Sequence, residues 1–114
     1  MRAIEAAKLA QKEYDAILEA ARVLKSDLPV SRVILFGSKA RGTGDKYSDI
    51  DLLILTSCPV TTGLRDSISE HLAEINLEND VMLSSVAVSE QDWANGLIHY
   101  MLIHSEVERE GCEI

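Results

Sequence analysis

The sequence predicts an α/β domain, with helices packed on one small sheet. Three observations carry this. Apolar residues recur at spacings of three and four over residues 3–26 and 62–76, as on the buried face of a helix. Two short unbroken apolar runs, Val33–Phe36 and Leu52–Leu55, suit buried strands. The elements then follow in the order helix, strand, strand, helix, strand, helix, which packs as layers around one sheet. With 114 residues and 12.6 kDa, the chain has material for one modest core. A single domain over residues 1–114 is expected.

The first helix, residues 3–26, places Ala3, Ala7, Ala10, Tyr14, Ile17, Leu18, Ala21 and Leu24 on one stripe, with charges between them. Alanine, glutamate and lysine favour it, and Pro29 marks its exit. Val33–Phe36 is the first strand, and the three glycines of Gly37–Asp45 make a loop. Ser48–Thr56 is the second strand, closed by Pro59. Leu64, Ile68, Leu72 and Ile75 give the next helix its apolar stripe, and Asn76–Asn79 turns the chain. Asp80–Val88 is the third strand. Ser89, followed by Glu90, Gln91 and Asp92, is an N-cap with acids in the first turn. The helical stretch after it breaks near Gly96 and ends at Gly111, a C′ glycine.

Composition narrows the function. Hydrophobic residues make up 46% and charged residues 26%, as in a folded globule. No stretch is long and apolar enough for a membrane span, and no secretory leader is visible, so the cytoplasm is the expected compartment. The net charge of −8 is uneven: residues 57–114 carry eleven acidic and two basic groups, while residues 32–56 carry four basic and three acidic. A polyanion binder needs a basic face, so bulk nucleic-acid binding is disfavoured. Cys58 and Cys112 match no zinc spacing and read as two reduced thiols. His99 and His104, five apart, lack the spacing of a helical zinc pair. Trp93 reads as a packing residue.

The chemistry concentrates in Gly37–Asp51, GSKARGTGDKYSDID. Gly37 and Ser38 follow a buried strand, where a missing Cβ lets backbone approach a ligand and a hydroxyl adds a donor. Lys39 and Arg41 add positive charge. These features suit a triphosphate cradle, and equally a glycine-containing surface turn; GxxxxGK[ST] is absent. Asp49 and Asp51 sit two apart, so on a strand both carboxylates project from one face and repel each other. A divalent cation such as Mg²⁺ would offset that repulsion. The other reading, charges guarding an edge strand, fits poorly beside the apolar run Leu52–Leu55. Asp80, at the start of the third predicted strand, joins them if the strands are neighbours. It is otherwise a turn residue, and Glu78 competes for its role. Three carboxylates can hold two metal ions for a phosphoryl displacement.

These residues resemble the signature of the nucleotidyltransferase superfamily with the DNA polymerase β-like fold: glycine-serine, a spacer, then Asp-x-Asp on a strand. G-S-x-A-R-G with S-D-I-D-L-L is similar in particular to the minimal nucleotidyltransferases of prokaryotes. The resemblance implies a small mixed sheet flanked by helices. It implies Gly37, Ser38 and, with a phosphate contact, Arg41 on the nucleotide. It also implies Asp49, Asp51 and Asp80 as the metal-binding and catalytic carboxylates, with two Mg²⁺ ions. The implied reaction moves a nucleoside monophosphate, AMP from ATP, onto an acceptor hydroxyl. Minimal nucleotidyltransferases of this kind are paired with helical HEPN-type toxins, as antitoxins that adenylylate or simply bind them. With no sequence left for an acceptor-gripping domain, the acceptor is expected to be a partner protein, in a homo- or hetero-oligomer. The alternatives are an antitoxin acting by binding alone, and an aminoglycoside-type enzyme whose site a partner subunit completes.

Overall fold

The computed structural model describes residues 1–45 and 47–114. Lys46, inside the motif stretch, lies outside the described residues. In chain order the elements are β1 (Arg2–Ala3), a 3-10 turn (Ile4–Ala6), α1 (Gln11–Asp27), β2 (Val30–Phe36), α2 (Ser38–Arg41) and β3 (Ile50–Thr56). Then come α3 (Thr62–Asn79), β4 (Leu83–Ser89), α4 (Glu90–Asn95), a second 3-10 turn (Leu97–Tyr100), α5 (Leu102–Glu110) and β5 (Cys112–Glu113). The strands form one sheet in the order β1-β5-β2-β3-β4. β2 runs antiparallel to both β3 and β5, while β3–β4 and β1–β5 are parallel, so the sheet is mixed, as expected.

Alternation along β3 explains the layers. Ile50, Leu52 and Ile54 join α1 and α3 in the larger core, with Ile17, Leu24, Ile68 and Leu72. Leu53 and Leu55 face the other way, onto Ile34, Trp93 and Val107. A strand buried on both faces has no polar side to show, which is why it reads as a continuous apolar run. Trp93 packs as expected: it stacks on His104 with ring centroids 4.4 Å apart, and its indole N–H donates to Glu108 at 3.2 Å. Both cysteines are free, and burial pushes the Cys112 thiol pKa up.

Three expectations are corrected. Residues 3–10 are not α-helical. Arg2–Ala3 instead pairs with Cys112–Glu113, the Arg2 amide donates to the Gly111 carbonyl at 2.7 Å, and the N-terminal ammonium donates to the Glu108 carbonyl at 2.8 Å. Helix propensity is a weak preference, and these tertiary bonds override it. α1 begins only after Ala10, whose amide donates to the Glu13 carboxylate at 2.9 Å.

The third long strand begins at Leu83 rather than Asp80, because α3 runs on to Asn79 and Asp80 caps it in the left-handed conformation (φ 53°, ψ 52°). Aspartate tolerates that region better than most residues. Asn76 then holds the start of β4, accepting from the Leu83 amide at 2.8 Å and donating to its carbonyl at 3.2 Å. Finally, Gly111 ends α5 with extended backbone rather than in the left-handed form, because the chain passes straight into β5. The break at Gly96 falls where the sequence predicts it. No helix among the described residues is long and apolar enough to cross a membrane.

Candidate active site

Asp51 is the second residue of β3 and points to the face shared by Leu53 and Leu55, opposite α1 and α3. Its register partners are Phe36 at the end of β2 and Ser84 near the start of β4. After Phe36 the chain turns at Gly37, whose φ of +80° disfavours any side chain. Space demands glycine as well: a Cβ there would lie 2.5 Å from Asp51 Oδ2. The carboxylate therefore packs directly against the backbone of the glycine turn. On its other side, the Ser84 hydroxyl donates to Asp51 Oδ1 at 2.9 Å.

Ser38 opens α2, and its carbonyl accepts from the amides of Thr43 (3.0 Å) and Gly44 (3.2 Å), folding the loop back on itself. A Cβ on Gly44 would come within 2.9 Å of Ser38 Oγ, so this second glycine leaves room for the Ser38 hydroxyl. Lys39 is buried beneath the loop. Its ammonium lies 2.8 Å from Glu13 of α1 and donates to the Asp45 carbonyl at 2.6 Å. The loop is thus tied to α1 by a buried ion pair. Asp45 shapes the approach to β3 with a turn of its own, its Oδ1 accepting from the Tyr47 amide at 2.8 Å. Asp49, expected inside the strand, is exposed and lies just before it, with buried Ile50 between it and Asp51.

One other predicted site residue, Asp80, lies elsewhere. Asp80 belongs to the layer of α1 and α3, on the opposite side of the sheet from Asp51. Its side chain is fully exposed, and it pairs with Lys12 of α1 at 3.4 Å. The expected meeting of Asp49, Asp51 and Asp80 does not occur, because β3–β4 pairing starts with Ile50 opposite Leu83, three residues past Asp80. Among the described residues no group of three or more histidine, cysteine or acidic side chains could hold a metal. Glu78 is likewise exposed on α3. Arg41 lies 3.6 Å from Glu110 of α5.

Sequence reasoning overlooked Ser84, which no motif marks and only strand register reveals, and the clamp of Glu13 and Lys39, whose partners are 26 positions apart. What remains as a donor set is two carboxylates, Asp49 and Asp51, separated by Ile50 in the chain. It fits Mg²⁺, which usually binds one or two carboxylates together with substrate phosphates and waters.

A glycine turn thus abuts a strand-borne carboxylate at one end of a mixed sheet. Residues 17–92 match the nucleotidyltransferase domain family. A relative from Haemophilus influenzae named "Probable protein adenylyltransferase MntA" is 30% identical over 87 residues, covering 76% of each chain. The chain belongs to the nucleotidyltransferase family and is a nucleotidyltransferase. Among solved structures, a toxin-antitoxin with AMP-PNP shares the fold at a TM-score of 0.60 and 17% identity, covering 91% of this chain and 72% of that one. So does a complex of a tri-AMPylated Shewanella oneidensis HEPN toxin with an MNT antitoxin, at a TM-score of 0.54 and 17% identity, covering 90% and 71%.

Proposed function

We propose that this nucleotidyltransferase moves AMP from ATP onto a hydroxyl of a HEPN-type partner protein in the cytoplasm, as the antitoxin of a toxin-antitoxin pair. The observation that carries the reading is the Asp51 carboxylate packed against the Gly37 turn, with Asp49 two residues ahead of it. Support for the adenylyl group and the protein acceptor comes from the name of the Haemophilus relative and from the AMP-PNP and AMPylated-toxin complexes that share the fold.

In this reading Gly37 and Ser38 seat the triphosphate. Asp49 and Asp51 would hold Mg²⁺, which would supply positive charge for the reacting phosphate and the departing pyrophosphate. The acceptor hydroxyl oxygen attacks the α-phosphorus and releases its proton to solvent, and the bond between the α-phosphorus and the pyrophosphate oxygen breaks. The protein's part is to align these groups and to place charge where charge develops. Asp80 lies outside this set, at the end of α3 and paired with Lys12; Arg41, three residues after Ser38 on α2, stays a candidate phosphate contact.

The test is label transfer from α-labelled ATP to the partner in the presence of Mg²⁺. Asp49→Asn and Asp51→Asn should each lower transfer by about 10²–10³-fold while the protein stays folded. Asp80→Asn should leave transfer at the wild-type rate. Neutralisation of the partner that persists in Asp51→Asn without label would establish action by binding alone. Label on a small-molecule hydroxyl and none on protein would overturn the protein acceptor.

A further inference from the structure

We propose that Ser84 is the positioning residue for Asp51, and that it makes this a two-carboxylate metal site in which a hydroxyl stands where a third acid would complete a cluster. The inference rests on the proposed Mg²⁺ site. Three observations lead to it. Ser84 is the register partner of Asp51 across the parallel β3–β4 pair, so its side chain rises from the same face of the sheet. Its hydroxyl donates to Asp51 Oδ1 at 2.9 Å, while Oδ2 lies against Gly37. Among the described residues, no third metal-ligating side chain joins Asp49 and Asp51.

Each carboxylate oxygen has two lone-pair sites, so a single hydrogen bond fixes the rotamer and still leaves both oxygens able to bind a cation. A carboxylate at position 84 would instead face Asp51 with like charge and demand a cation to offset it. Ser84 therefore keeps the site stable without metal, at the cost of one ligand. The divalent ion then depends on nucleotide phosphates to complete its shell, and the free protein takes it up weakly.

Calorimetric titration with Mn²⁺, with and without AMP-PNP, tests this without reference to turnover. In the presence of AMP-PNP, Ser84→Ala should bind Mn²⁺ about tenfold more weakly than wild type, the usual effect of removing a group that orients a ligand. Ser84→Thr, which keeps the hydroxyl, should restore wild-type affinity. Ser84→Asp should bind Mn²⁺ without nucleotide more tightly than wild type. Melting temperatures without metal establish that each variant is folded. Equal affinity of Ser84→Ala and wild type, or no rescue by a folded Ser84→Thr, overturns the role of Ser84 and leaves the metal site standing. A wild-type protein that takes up no Mn²⁺ even with AMP-PNP overturns the site and this inference together.

Discussion

At the scale of single residues, Gly37 bears the tightest constraint in the site. Its positive φ and the Asp51 oxygen 2.5 Å from its would-be Cβ act together. Gly37→Ala should therefore cost about 1–3 kcal/mol for a backbone conformation (φ 80°, ψ −159°) that essentially only glycine adopts, and it should displace the carboxylate as well. Chemical denaturation measures the first effect and label transfer the second. A variant of wild-type stability and wild-type transfer would show that the turn tolerates a side chain. Gly42, also at positive φ, differs: its would-be Cβ meets only the flexible Lys8 side chain at 3.4 Å. Gly42→Ala should thus disturb stability with little effect on transfer. Glycine at one position makes room for chemistry, and at the other it only ends α2.

At the scale of elements, the buried pair of Glu13 and Lys39 couples α1 to the loop that delivers Asp49. Lys39 is 4% exposed, and its ammonium is shared between Glu13 and the Asp45 carbonyl. Removing one partner of a buried pair leaves the other charge uncompensated, so Lys39→Met or Glu13→Gln should each lose about 3–5 kcal/mol of stability. The double variant Glu13→Gln with Lys39→Met removes both charges and should recover part of that loss, which urea unfolding would register. If the two single losses simply add, the residues do not act as a pair. The same coupling gives the loop a rigid anchor on one side, while β3–β4 register fixes Asp51 on the other.

At the scale of the whole molecule, the acidic surplus of residues 57–114 is spread over α3, α4 and α5, which flank the sheet on both faces. Such a field steers a basic partner toward the chain, and salt screens it. The association rate with the proposed HEPN-type partner should therefore fall steeply between low and physiological ionic strength, while dissociation changes little. Stopped-flow mixing at several salt concentrations would check this, and a salt-independent association rate would remove charge from the account of partner recognition. The exposed Leu97, Tyr100 and Leu102 lie together around the second 3-10 turn, beside the acidic positions of α5.

Local chemistry made much of the molecule legible in advance. Apolar runs located β2 and β3, and a three-four rhythm located α1 and α3, because each of these signals is contained within one segment. The errors share a cause. Residues 3–9 favour helix by composition, yet lie in a short strand and turns tied to the far end of the chain. Asp80 resembles a strand-opening acid, yet caps a helix on the other side of the sheet. Ser84 carries no signal at all until β4 is laid beside β3. Segment character follows from neighbours in sequence and short-range sterics. Which side chains meet follows from register and layer, and these are settled only when burial on both faces of β3 selects one arrangement of the whole chain.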